Sequence, residues 1–173
     1  MKILITGLGV TGKSSLLKWL DKIHPPIPDA IFLDLDHDRA ELSREFSPWD
    51  YYFLEDVHGP TAMAVYPLPV YDLVLYVLPG WFTHLRYWLS RMRIWFENGK
   101  YAWDPDLNCN FGTGQPQDWR NLPGIIKYFW QHFPKRGQTI SEDLIALKAS
   151  RIKTFLVIPK GIGAKISFTF KKF

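Results

Sequence analysis

Apolar residues fall into two rhythms along this chain. Short, nearly continuous apolar runs occur at KILIT (2–6), AIFLDLD (30–36), YYFLED (51–56), YDLVLYVL (71–78) and KTFLVIP (153–159), and each predicts a strand. The run at 71–78 lacks alternation, as expected of a strand covered on both faces. Between the runs the apolar positions recur every three or four residues. Leu16, Leu17, Leu20 and Ile23 form such a stripe in KSSLLKWLDKI, which His24-Pro25-Pro26 stops. DRAELSREF (38–46) reads as a second helix. A long one spans about 81–98, with Trp81, Leu85, Trp88, Met92 and Trp95 as its expected core stripe. Another runs from about Trp119 to Phe133, with Ile125, Ile126, Phe129, Trp130 and Phe133 on its apolar side. SEDLIALKAS (141–150) suggests one more, and KISFTFKKF (165–173) alternates like an edge strand. Strands alternating with helices predict an α/β domain with a mostly parallel sheet covered on both sides. The stretch 101–118 is rich in turn formers and has no period, so residues 98–120 are expected to form a lid or insertion.

Directly after the first apolar run comes GLGVTGKS (7–14), which fits G-x-x-x-x-G-K-[ST]. The glycines permit a backbone path on which successive amides turn toward phosphate oxygens, and the following helix adds its positive dipole end. Gly7, Leu8, Gly9, Val10, Thr11, Gly12, Lys13, Ser14 and Ser15 are therefore the candidate nucleotide-binding residues. Lys13 would reach the β- and γ-phosphates, and Ser14 would ligate Mg²⁺. The plainer alternative is a glycine turn beside a solvated lysine. The strand before the motif and the helix after it favour the phosphate loop. A guanine-specificity N/T-K-x-D sequence is missing from its usual place, since Asn98-Gly99-Lys100 continues as Tyr101-Ala102.

The loop and the strand inventory resemble the nucleotide and small-molecule kinase group of P-loop proteins, which includes adenylate, shikimate and gluconate kinases. That resemblance implies a three-layer α/β/α fold with five parallel strands in the order 2-3-1-4-5. It also implies ATP and Mg²⁺ as cofactors. IFLDLDHD resembles the D-x-D of shikimate-type kinases, making Asp34 and Asp36 candidates to orient an acceptor hydroxyl or take its proton. A helix cap is the plainer role for Asp36. Glu55 and Asp56 end the third strand, beside the loop strand in this family, where an acid could hold the metal through water. Arg86, Arg91 and Arg93 resemble lid arginines that stabilise a transferring phosphoryl group; a solvated basic helix face is the bland counterpart. Arg120 and Arg136 are weaker candidates, and Arg136 is expected to be exposed. The nucleoside monophosphate kinase lid sequence R-x-x-R-x-D-D and the shikimate kinase glycine run are both absent, so the acceptor stays open. Among the histidines, His58 in EDVHGP lies nearest the expected site.

Composition adds limits. Charged residues make up 22% and the formal net charge is +4, which suits an anionic ligand without arguing for nucleic acid. Aromatic residues reach 16%, including eight Trp, most of them expected in packing. The single cysteine, Cys109, excludes an internal disulfide. No apolar run approaches the roughly 20 residues of a membrane span. Without a signal-peptide layout a cytoplasmic location is expected. The expected function is an ATP- and Mg²⁺-dependent phosphotransferase acting on a small acceptor. An ATPase switch with a protein or nucleic-acid partner is the alternative, and a degenerate loop kept for scaffolding is a third.

Overall fold

A computed structural model describes residues 1–23, 30–34, 51–55, 71–98, 103–104, 109–110, 115–161 and 166–173. The chain is α/β. Strands β1 (Lys2–Thr6), β2 (Ala30–Asp34), β3 (Tyr51–Glu55), β4 (Leu73–Val77), β7 (Thr154–Lys160) and β8 (Ser167–Lys172) form one six-stranded sheet, ordered β2-β3-β1-β4-β7-β8. The first five run parallel and β8 closes the edge antiparallel to β7. Two-residue strands β5 (Trp103–Asp104) and β6 (Cys109–Asn110) pair separately. The helices are α1 (Lys13–Ile23), α2 (Trp81–Asn98), α3 (Leu122–His132) and α4 (Arg136–Ser150).

Period-2 alternation divides the central strands between two layers. Ile3 and Ile5 of β1, Phe53, Leu75, Val77 and Val157 form one buried cluster with Leu16 and Leu20 of α1. The intervening residues Leu4, Val74 and Tyr76 are buried too, and the Tyr76 hydroxyl donates to Asp143 of α4 at 2.8 Å. Burial and the Asp143 charge raise the Tyr76 pKa, so the phenol stays the donor.

Helix α2 departs from the expected stripe. The buried residues are His84, Tyr87 and Trp88, whereas Trp81 is 49% exposed. The reason lies in α3, whose Tyr128 and Phe129 rings meet this helix. Trp88 meets Tyr128 at 5.8 Å and Phe129 at 5.7 Å between centroids, and Trp95 meets Tyr128 at 5.8 Å, all tilted or edge-on. The helix expected over 119–133 divides into a single 3₁₀ turn (Trp119–Asn121) and α3, because the Asp118 side chain caps the turn and Pro123 stands at the helix start. Of its expected apolar side Ile125 and Phe133 are buried, but Ile126 and Trp130 are exposed. Helix α4 begins at Arg136, five residues before its expected start at Ser141. The helix expected over 38–46 lies outside the described residues, as does most of 98–120. Among the described residues no helix is long and apolar enough to cross a membrane.

Tyr76→Phe should cost about 1–3 kcal/mol in urea unfolding, because it takes a donor from a fully buried carboxylate. Ile145→Ala, at an exposed site on the same helix, should stay within about 0.5 kcal/mol. Equal effects would contradict this packing of α4.

Candidate functional site

Between β1 and β4 the direction of chain progression across the sheet reverses. Strand β1 leads through α1 toward β2, while β4 leads through α2, α3 and α4 toward β7. In open α/β sheets such a reversal leaves a crevice at the carboxyl ends of the strands. Residues 7–12 cross it.

The two motif glycines are required for different reasons. Gly7 has φ +144°, and a Cβ there would lie 2.6 Å from the Val77 carbonyl oxygen, inside the backbone of β4. Gly12 has φ +92°, and its Cβ would meet the Tyr87 ring at 3.3 Å. Gly9 has open space around a Cβ position, so its side is not sterically closed. Val10 takes φ 59°, a left-handed conformation that a β-branched residue adopts only under constraint.

The loop is held from within. Lys13 is 4% exposed as a residue, and its ammonium donates to the carbonyls of Gly7 at 3.2 Å and Leu8 at 2.8 Å. The Thr11 hydroxyl donates to Leu8 at 2.9 Å. Gly12 is the residue from which α1 starts, since Leu16 N–H bonds its carbonyl at 2.9 Å. The helix itself offers no acceptor to the N–H groups of its first turn, which makes such a terminus suited to an anion.

Helix α2 forms the other wall. Tyr87 lies against Gly12, and its hydroxyl donates to Gly161 at 3.0 Å. His84, 1% exposed, bonds the Gly9 carbonyl through Nε2 at 2.9 Å. Its Nδ1 faces Arg136 Nε at 3.1 Å, and Arg136 Nη2 donates to the Pro79 carbonyl at 2.8 Å. Burial pushes His84 down from 6.5 to about 4; the Gly9 bond opposes this, while Arg136 and Lys13 add to it. Burial also lowers Arg136, which nonetheless stays charged at neutral pH.

Gly7 to Ser15 are thus gathered at one turn, with Ser14 exposed on the first turn of α1. Glu55 pairs in register with Ile5 of β1, and Asp34 with Glu55, so both positions share one row at the carboxyl end of the sheet. Asp36, Asp56 and His58 lie outside the described residues. Arg86 and Arg93 lie roughly half a turn of α2 away from His84 and Tyr87. Both are exposed, and Arg93 pairs with Glu97 at 2.7 Å. Arg91 shares the loop-facing side a turn further along, but stands exposed 6.0 Å over the Trp95 ring. Arg120 is tied to Asp118 at 2.8 Å. The histidine that bonds the loop is His84, and Arg136, half-buried rather than exposed, is joined to the loop through it. A lone histidine within the apolar stripe of WFTHLRYWL was the available signal for His84. Among the described residues no group of three or more His, Cys, Asp or Glu is arranged to hold a metal ion. No protein-family model matches the chain, and no curated protein matches it.

Gly7→Ala should destabilise the fold by about 2–4 kcal/mol, combining backbone overlap with left-handed strain. Val10→Gly should stabilise by about 0.5–1 kcal/mol, because relief of strain outweighs the added unfolded-state entropy. Urea denaturation measures both, and a destabilising Val10→Gly would refute the strained turn. His84 binds its proton more weakly folded than unfolded, so its contribution is complete above about pH 6.5 and is lost as pH falls toward 4. The loss should reach about 3 kcal/mol and should be largely absent from His84→Phe in pH-dependent melts.

Proposed function

We propose that residues 7–15 hold the phosphate tail of a Mg²⁺-bound nucleoside triphosphate, and that the chain transfers the terminal phosphoryl group to a small acceptor. The observation that carries this reading is the turn itself. Two glycines in side-chain-excluding conformations carry the chain from the central strand into a helix whose first residue is Lys13, folded over the turn. The cradle fits the group, because its steric closure comes from Val77 and Tyr87 while the Gly9 side stays open.

Lys13 and the first-turn amides of α1 would bind the phosphates, with Ser14 and Glu55 as candidates to hold the cation. Bound there, the Mg²⁺–nucleotide supplies the transferable phosphoryl group and the screening charge. Glu55 lies one strand from β1 and Asp34 two, or about 5 and 10 Å across the sheet. That spacing supports Glu55 for the metal side and Asp34 for the acceptor, where its carboxylate would take the hydroxyl proton. Asp36 and Asp56 are further candidates for those two roles. The strand order β2-β3-β1-β4-β7 supports the likeness to nucleotide and small-molecule kinases. Of the candidate arginines Arg136, rather than Arg86 or Arg91, is assigned the role of holding the turn, because it bonds Pro79 and His84 at its edge.

The second reading, an ATPase switch acting with a macromolecular partner, draws on exposed rings at Phe82 (77%) and Trp130 (65%). Product analysis separates the two. Incubation with Mg–ATP and a panel of small hydroxyl and phosphate acceptors should yield one phosphorylated product by mass spectrometry. Hydrolysis changed only by a macromolecule would favour the switch. Lys13→Ala should weaken Mg–ATP binding at least about a hundredfold by calorimetry, as expected for a lost buried charge on phosphate. Unchanged affinity in that variant would end the phosphate-loop reading.

A further inference from the structure

We propose that Arg136 and His84 act in series as a positioning pair for the turn, with Arg136 fixing His84 as the Nε2–H tautomer that holds the Gly9 carbonyl in the shape a phosphate tail requires. This deepens the triphosphate reading and rests on it.

The proton assignment follows from chemistry that leaves little choice. An arginine Nε–H only donates, so Nδ1 of His84, 3.1 Å away, must present a lone pair. A neutral imidazole then carries its proton on Nε2, which faces Gly9 O at 2.9 Å and donates to it. Trp88 Nε1 also approaches Nε2, at 3.1 Å. Serving that contact would require the opposite tautomer, with two N–H groups opposed at Arg136 and two acceptors opposed at Gly9. One neutral bond would replace two, one of them charge-assisted. The charged groups near the ring are Arg136 from α4 and Lys13 from α1, with uncharged Trp88 and Phe133 beside it. Both cations favour the neutral ring.

The grip falls where the turn needs one. Gly9 has no side chain to anchor it, and the next residue is Val10 in its strained conformation, which persists only if the surroundings hold it. Arg136 meanwhile grips Pro79 O, two residues beyond the Val77 carbonyl that abuts Gly7. The end of β4, the start of α4, α2 and the turn are thereby joined through one planar guanidinium and one ring. An arginine in the first turn of a helix opposes the helix dipole, and two strong acceptors offset that cost. A lysine has no two-pronged planar head and cannot reproduce the arrangement.

Nitrogen NMR of His84 and calorimetric Mg–ATP titration test the pair in the full chain, with thermal melts confirming that each variant folds. The wild type should show the Nε2–H tautomer, and Arg136→Met should abolish its exclusivity and raise the His84 titration point. His84→Phe and Arg136→Met should each weaken Mg–ATP about tenfold, and the double variant should be scarcely weaker than either, since both break one chain of contacts. His84→Gln, which keeps a donor near Gly9, should lie within about threefold of wild type. Arg136→Lys should resemble Arg136→Met. A wild-type Nδ1–H tautomer, a double variant weakened about a hundredfold, or a wild-type-like Arg136→Lys would each overturn the proposal. A wild-type chain that binds no nucleotide yet keeps an Arg136-dependent Nε2–H tautomer would refute the triphosphate reading and support the grip on the turn.

Discussion

The arrangement of the candidate site depends on how closely the backbone after β1 runs against the backbone after β4. Gly7 sits where any side chain would begin 2.6 Å from the Val77 carbonyl. At that separation no rotamer or small shift provides relief, because the obstacle is main chain within a buried parallel pair. The chain therefore turns immediately on leaving the sheet, and only six residues separate Thr6 from the first residue of α1. So short a reversal forces left-handed conformations, two at glycines and one at Val10. It also turns the Gly7 and Leu8 carbonyls toward Lys13. The ammonium thus serves as the turn's internal clamp, a placement that leaves it beside any anion seated on the first turn of α1.

The second wall follows from aromatic packing. Trp88 and Trp95 fill the seam with α3, and this fixes the rotation of α2 about its own axis. With Trp88 directed at the seam, His84 and Tyr87 fall on the side that meets the turn. Four aromatic rings, Trp88, Trp95, Tyr128 and Phe129, therefore set a helix rotation. That same rotation carries Arg86 and Arg93 away from the turn.

Most element positions were legible because they rest on local rules. Continuous apolar runs marked β1, β4 and β7, periodic ones marked α1 and α2, and alternation marked the exposed edge at β8. The turn was legible because its glycines take positive φ within one short segment, although the groups that exclude a side chain there, Val77 and Tyr87, are remote in sequence. Arg136 and His84 were not. Their roles depend on the start of α4 meeting the end of β4, a contact between residues 57 apart in sequence. Sequence periodicity carries no information about that pairing. FPKRGQ reads as a break between helices, and a helix that opens on arginine disguises its own start. His84 was hidden differently: it bonds a main-chain carbonyl, a role that leaves no residue spacing in the sequence.

Taken across the sheet, the charge pattern is directional. On the β4 side stand Arg136 and a histidine kept neutral beside it; at β1 stands Lys13. One strand further is Glu55, and beyond it Asp34. A protonated His84 would put a third positive charge between Lys13 and Arg136, and the ring could no longer accept from Arg136. Its neutrality therefore preserves both the geometry of the turn and the step from cationic to acidic positions. A phosphate chain in this field gains most with its charge toward β1 and β4, leaving the β2–β3 edge for a group that donates a hydrogen bond or carries a cation. An acceptor hydroxyl and a divalent metal share that requirement. The proposed placement of acceptor and metal on that edge thus rests on the same strand order that makes the turn tight.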